Sequence, residues 1–384
     1  MKITKVTPIN LFVPMTGMQK APISLPFGDR IGSVVFSGYR ATLVRIETDA
    51  GVDGVGECLV RLAPKATGAL VEELAPILVG QDPQDVEPIW DMLYATMRQR
   101  GHVRGTMLEA MSGIDIALWD ILGKEAGQPV CKLLGGKYRD RLLCYASSLR
   151  MRDMATVIKE ATAYVEMGFT GMKLKIGRDL DRTFQSVAEV RKAIGEKIQL
   201  SVDANCAYDV RTALQVGRRL EEHNVQWFEE PISPDDVDGY AELAHALDVP
   251  IAAGECEFTR WGVKDLLVRR AVDIIQPDVA RAGGFSECRK IAALSSAFNI
   301  AYAPHTGSSS AICMAASIQM AAALPNFLTY EFMRSDWSQH QRNPLREDLV
   351  KEPVEVFEKG HILVPDRPGI GVELNEEVIG RYRV

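Results

Sequence analysis

Seven cysteines are spread over 384 residues, odd in number and without a CxxC pair. That excludes a disulfide scaffold and a paired-thiolate zinc module. They read as reduced, mostly structural thiols in a cytoplasmic protein. Clusters of positive charge are also missing. Lys and Arg number 44 against 51 Asp and Glu, a formal net charge of -7. Nucleic acid is therefore excluded as the main partner. There is no low-complexity tract, and MKITKVTPINLFVP lacks a signal-peptide core. The most apolar long stretch, AICMAASIQMAAALPNFL from Ala311, is broken by Ser317, Gln319 and Pro325. It predicts a buried helix rather than a membrane span. The fragment Gly51–Gly56 lacks both the spacing and the following helix of a phosphate loop. What remains is an ordinary globular composition, 47% hydrophobic and 25% charged, on a chain too long for one core. Two domains are expected.

The first 130 residues mix strand and helix periods. ITKVTPINLFV reads as a strand, and a polar segment bearing Gly and Pro follows it. ATLVRIETDAGVDGVGEC reads as a hairpin turning around Asp49, Ala50 and Gly51. From Pro64 to Gly127 the apolar spacing turns helical. A rhythm then takes over. Strand-like runs occur at 142–147, 171–176, 199–203, 225–230, 250–255, 272–278, 300–305 and 327–331, separated by helical patterns. Eight strands joined by helices predict a parallel βα barrel over residues 131–345. The turn-rich residues 346–384 read as a tail folding back on residues 1–130.

In such barrels the chemistry sits at the C-terminal ends of the strands. Here strands three, four and five are expected to end at Asp203, Glu229 and Glu255, two equal steps of 26 residues. With neighbouring strands about 4.8 Å apart, three carboxylates converge and repel. A divalent cation resolves that conflict, and an all-oxygen set suits Mg²⁺, with Mn²⁺ as a substitute. Alternation along a strand lets only one of Glu229 and Glu230 face that cation. Equal spacing selects Glu229 and leaves Glu230 with another partner or the loop backbone.

Strand two carries Lys173 and Lys175, which share one face at a period of two. Mutual repulsion and a nearby cation should depress both amines toward the neutral form that a general base needs. Strands six and seven are expected to end at Asp278 and His305, at the same level, so the carboxylate can hold the imidazole tautomer. Glu331, ending strand eight, is expected to bond a substrate oxygen if protonated, or else to be an ordinary strand-end acid. Asn205 lies within reach of a substrate hydroxyl. The chemistry implied is removal of a proton next to a carboxylate, with Lys175 and His305 on opposite sides of the reacting carbon.

Together, Lys173-Leu174-Lys175, VDAN at 202–205, FEEP at 228–231, GE at 254–255, QPD at 276–278 with ARAGGFSE just after, and PH at 304–305 resemble the enolase superfamily, mandelate racemase subgroup. The resemblance implies an α+β capping domain, completed by the C-terminal tail, over a (β/α)₇β modified TIM barrel. It implies Mg²⁺ ligands at Asp203, Glu229 and Glu255, bases at Lys175 and the His305–Asp278 dyad, and an electrophilic acid at Glu331. The ending RNPLREDLVKEPVEVFEKGHILVPDRPGIGVEL is similar to acid-sugar dehydratases and a galactarolactone cycloisomerase. The expected activity is a Mg²⁺-dependent lyase giving a 2-keto-3-deoxy acid. A racemase or epimerase, a cycloisomerase, and a non-catalytic metal-binding barrel are the alternatives. Specificity is expected in residues 15–32 and around Val60–Arg61. Lys20, Arg30 and Arg61 there either bind the distal part of the substrate or stay ordinary loop cations. The expected partners are a small acid sugar and further copies of the chain, as a dimer or octamer.

Overall fold

A computed structural model describes residues 1–23, 32–307, 309–333 and 342–384, with side chains left undescribed at 16–23, 32–36 and 148. The chain opens with β1 (Ile3–Ile23), β2 (Gly32–Thr48) and β3 (Gly54–Cys58), an antiparallel sheet in that order. The expected hairpin is β2–β3, with Leu43 opposite Glu57. β1 runs on through the polar segment expected to end it, pairing as far as Ile23 with Gly32. The helices Pro64–Leu78 and Thr106–Glu125 pack on this sheet, and Val86–Arg98 packs against both of them. Thr106–Glu125 is buried along nearly its whole length because it lies between the sheet and the rest of the molecule.

Eight parallel strands follow: β4 (Arg141–Arg150), β5 (Gly171–Lys175), β6 (Gln199–Asp203), β7 (Val225–Glu229), β8 (Ile251–Ala253), β9 (Ile274–Ile275), β10 (Ala301–Tyr302) and β11 (Tyr330–Phe332). They pair in sequence order, and β11 returns to β4. A bridge between Tyr302 and Phe327 closes the ring. This is a modified TIM barrel with an N-terminal α+β unit. Four of its helices start at an aspartate, Asp153, Asp179, Asp209 or Asp236, whose carboxylate accepts a backbone N–H of the first turn. Each such cap contributes about 1 kcal/mol. Ala311–Ala322, the apolar stretch, is a helix buried at every residue, and no helix among the described residues is long and apolar enough to cross a membrane.

Alternation along the barrel strands separates two apolar cores. Leu174, Val202 and Phe228 face the large core shared with the helices. Tyr145, Trp227, Ala252, Ile274 and Ala303 form a small separate core, in which Tyr145 and Trp227 meet edge to face at 5.1 Å. The tail departs in part from its expected course. β12 (Phe357–Glu358) and β13 (His361–Leu363) form a hairpin, and β13 pairs antiparallel with Arg141–Leu143 of β4. β4 is ten residues long, and β11 covers only Cys144–Ala146, so its first residues offer a free edge that the tail fills. Beyond the hairpin the tail does reach the first unit. Val384 N–H donates to Asn10 O at 3.0 Å, and Arg383 bridges Leu11.

Candidate active site

β5, β6 and β7 lie in register so that Lys175, Asp203 and Glu229 stand side by side. The Lys175 ammonium is hydrogen-bonded to Asp203, and the Lys173 ammonium to Glu229. Lys173 Nζ also sits 3.1 Å from Glu331 and 3.5 Å from Asp203, with the Tyr145 ring 5.6 Å below it. Trp227 lies two residues before Glu229 and therefore shares its face. Its Nε1–H donates to Glu229 Oε2 at 3.1 Å, and Gln276 Nε2–H donates to the same oxygen at 2.7 Å. One oxygen each from Asp203, Glu229 and Glu255 lie within 4.8 Å of one another.

Glu255 does not end its strand. β8 stops at Ala253, and Gly254 follows with φ 134°. A Cβ there would come 2.8 Å from Gln276 N, so the close turn that delivers Glu255 requires glycine. Asp278 and His305 likewise stand three residues beyond β9 and β10. They meet as expected. His305 Nδ1 is 2.8 Å from Asp278 Oδ2, and His305 Nε2 is 3.4 Å from Glu255 Oε2. Lys175 thus touches the carboxylate set at Asp203, and His305 touches it at Glu255. The two groups approach from opposite ends.

Protonation follows from these contacts. Burial alone would push His305 down, but Glu255 and Asp278 outweigh it and lift the imidazole to about 9. The neutral lysines expected from the sequence are corrected in the same way. Burial lowers both amines, yet Glu229 and Glu331 at Lys173, and Asp203 at Lys175, outweigh it and raise them. Each ammonium is the counter-charge of a carboxylate, and that attraction exceeds the repulsion between the amines. Asp203, also opposed by burial, is held down to about 2 by Lys175 and Lys173. Burial, with the Asp203 and Glu331 charges, leaves Glu229 the harder carboxylate to ionise, at about 8. For Glu331 two readings were open, a protonated donor and an ordinary strand-end acid, and its surroundings favour the second. Lys173, His305, Ser147 and the Thr306 amide hold it well below the usual carboxylate range despite burial, so it is an acceptor here and not a protonated acid.

Glu230 does not turn away from the acids. β7 ends at Glu229, and Glu230 adopts φ 40°, so strand alternation stops one residue earlier than the sequence pattern implies. Its carboxylate comes beside Glu255, and burial together with that charge raises it to about 8. Asn205 is exposed just past β6. Its backbone N–H, rather than its side chain, bonds Asp203 Oδ1 at 2.8 Å. Arg61 arrives from the loop after β3. A Cβ built on Gly307 would lie 2.7 Å from Arg61 Nη2 and 2.7 Å from His305 Cε1, so the guanidinium and the imidazole both border Gly307. Lys20 pairs with Val35 in β1–β2, with its side chain outside the described set, and Arg30 lies outside the described residues. Gln276, Trp227, Ser147 and Arg281 were missed from the sequence. Trp227 was accessible, since alternation puts it on the Glu229 face. Arg281 Nη1–H donates to Glu255 O at 2.8 Å, a contact no local pattern announces.

A mandelate racemase / muconate lactonizing enzyme N-terminal domain model matches residues 15–135, and an enolase C-terminal domain-like model matches residues 156–378. The chain belongs to the enolase superfamily. Within it, the chain is 37% identical over 364 residues to a D-galactarolactone cycloisomerase of Agrobacterium fabrum, covering 92% of this chain and 93% of the relative. It is 37% identical over 345 residues to an arabinonate dehydratase of Saccharolobus solfataricus, covering 88% and 89%. The solved 3,6-anhydro-D-galactonate cycloisomerase of Zobellia galactanivorans superposes with a TM-score of 0.87 at 32% identity, covering 100% of both chains. Members of this superfamily typically bind Mg²⁺. The donor set here fits such an ion: three carboxylate oxygens converge, with no sulfur or imidazole among them, and small hard cations prefer oxygen. Trp227 and Gln276 hold Glu229 in place from behind, as outer-shell donors to a metal ligand do.

Proposed function

We propose that this enolase-superfamily chain is a lyase acting on a sugar-derived acid. It removes the proton next to the carboxylate and expels the oxygen on the adjacent carbon. The observation that carries the reading is the opposed approach of Lys175 and His305 to one carboxylate set. The names of the relatives, a cycloisomerase and an arabinonate dehydratase, support the substrate class.

Asp203, Glu229 and Glu255 would hold a Mg²⁺, which would supply positive charge against the developing negative oxygens of the substrate carboxylate. With the cation's charge offsetting Asp203 and Glu255, Lys175 Nζ and His305 Nε2 would each be able to take up a proton. An α-proton on the β5–β6 side meets Lys175 Nζ, and one on the β10 side meets His305 Nε2. The C–H electrons form the enolate double bond. The C–O bond at the neighbouring carbon then breaks as the other group donates a proton to the leaving oxygen or, later, to the enol. Water leaves from an open-chain acid, or a ring oxygen from a lactone. Either way the enol becomes a 2-keto-3-deoxy acid. Asp278 keeps the His305 tautomer with Nε2 toward the reacting carbon, and Lys173 remains a fixed ammonium donor. Arg61 contacts the distal end of the substrate.

The test is to screen mono- and diacid sugars with Mg²⁺ in deuterium oxide and follow products by NMR. A 2-keto-3-deoxy product supports elimination. Recovery of only the C2 epimer, deuterated at C2 with every hydroxyl retained, overturns it in favour of a racemase using the same two groups.

A further inference from the structure

β3 and its exit touch the surroundings of His305 at every second residue. Glu57, 1% exposed, accepts Ser310 N–H at 2.9 Å and Cys313 N–H at 2.8 Å. Leu59 N–H donates to Ala280 O at 2.9 Å. Arg61 and His305 both border Gly307. The first two contacts converge on Asp278, which is fully buried. One of its oxygens meets His305 Nδ1 at 2.8 Å. The other accepts Ala280 N–H at 2.9 Å and the Cys313 thiol at 3.7 Å. Both partners of that second oxygen are therefore residues that β3 and its exit hold. Lys175 is placed differently, by the register of β5 with β6 inside the barrel.

We propose that Glu57 is a positioning residue for the His305–Asp278 dyad. Docking of the first unit then fixes one of the two opposed proton-transfer groups, and the barrel fixes the other. Glu57 fastens the first turn of the helix Ala311–Ala322. That turn keeps the Cys313 thiol against Asp278, and Asp278 keeps Nδ1 of the imidazole engaged. In Glu57→Gln the side chain keeps its volume, but an amide has only one acceptor oxygen. Whichever way that amide turns, Ser310 N–H or Cys313 N–H loses its acceptor. The consequence for turnover rests on the lyase reading, but the geometry of the dyad does not.

Proton NMR of the full-length protein, with neither metal nor substrate added, reads that geometry directly. A low-field Nδ1–H signal is expected in the wild type, assigned to His305 by its loss in His305→Asn. It is expected to shift in Glu57→Gln and in Cys313→Ala, which removes the thiol alone. Asp115→Asn weakens the other contact between the units, at Ser286 N. It is expected to lower the melting temperature without moving the signal. Circular dichroism confirms that each variant is folded. Absence of the signal in the wild type, an unmoved signal in either Glu57→Gln or Cys313→Ala, or an equal shift in Asp115→Asn overturns the proposal, whatever becomes of the lyase reading. With an acid sugar that the product screen shows to be turned over, Glu57→Gln is expected to lower kcat about tenfold with KM little changed. A rise in KM alone overturns the link to turnover.

Discussion

Two sets of buried carboxylates lie a short way apart, and they solve the cost of burial differently. At the barrel mouth, Asp203, Glu229 and Glu331 are met by the ammonium groups of Lys173 and Lys175. At the junction with the first unit, Glu57 and Asp115 are met by backbone. Glu57, on β3, accepts from Ser310 N at 2.9 Å, Ser310 Oγ at 2.6 Å and Cys313 N at 2.8 Å, which opens the helix Ala311–Ala322. Asp115 accepts from Ser286 N at 3.1 Å, in the first turn of the helix Gly284–Ala297. A helix N-terminus offers only partial positive charge, so burial still lifts both acids to about 7. Full charges at the mouth hold Asp203 at about 2 instead, while Glu229, weighed on by burial and by the Asp203 and Glu331 charges, rises to about 8 there. The first arrangement keeps charge available for chemistry, whereas the second uses carboxylates as latches between units.

The largest effect expected is at the mouth. Lys175→Met, or Glu255→Gln, should lower turnover by about 10³-fold or more, because a proton acceptor or a cation ligand is lost. Chelation should abolish wild-type activity, and added Mg²⁺ should restore it. Calorimetry of Glu255→Gln should also show weaker Mg²⁺ binding, and unchanged affinity would remove Glu255 from the ligand set. Next comes His305→Asn, with a turnover loss of about 10²- to 10⁴-fold at normal melting temperature. Near wild-type turnover would reduce the imidazole to a structural group.

The latch acid Glu57 and the mouth acid Asp203 should respond to pH in opposite directions. Glu57 has a folded pKa of about 7 against an ordinary 4.5, so the folded state binds the proton more tightly. Its destabilising contribution is absent below pH 4.5 and accumulates as pH rises toward 7, to about 3 kcal/mol. Glu57→Gln lacks that titration, so its stability relative to wild type should rise between pH 5 and pH 8 in urea unfolding. A pH-independent difference would erase the contrast between the two sets. Asp203 runs the other way. Its depressed value stabilises the fold above the ordinary range and is lost only as pH falls through about 2, so it contributes no slope in that window. The smallest effect belongs to Arg61→Met, expected to raise KM about tenfold with kcat little changed, as when one charged hydrogen bond to substrate is removed. A kcat loss without a KM change would place Arg61 with His305 in the chemistry.

Much of the mouth was legible in the sequence because its logic is local and repeated. Lys173 and Lys175 share a face at a period of two, and Asp203 and Glu229 end consecutive strands in register. Glu255, Asp278 and His305 were named although their strands stop two or three residues short, since the βα spacing tolerates such an error. The lysines were misjudged in protonation, and that of Glu331 was left open. Their charge state depends on which groups meet across the barrel, and Lys173 alone has three carboxylates around it. The latch acids went unnoticed because Glu57 and Ser310 are 253 residues apart, and no period or motif joins them.

By itself, the sequence determined the barrel rhythm, the order of the acids along it and the hairpin of β2 and β3, because apolar period and turn chemistry act over a few residues. Tertiary structure alone decided three other matters. Glu230 enters the acid cluster because the backbone turns to φ 40° at the close of β7. Arg61 reaches Gly307, beside His305, from another unit. The tail spends β13 on the open edge of β4 before returning to β1. Each depends on which surfaces remain unpaired once the barrel has closed, and that is settled by packing between distant segments rather than by neighbours in the chain.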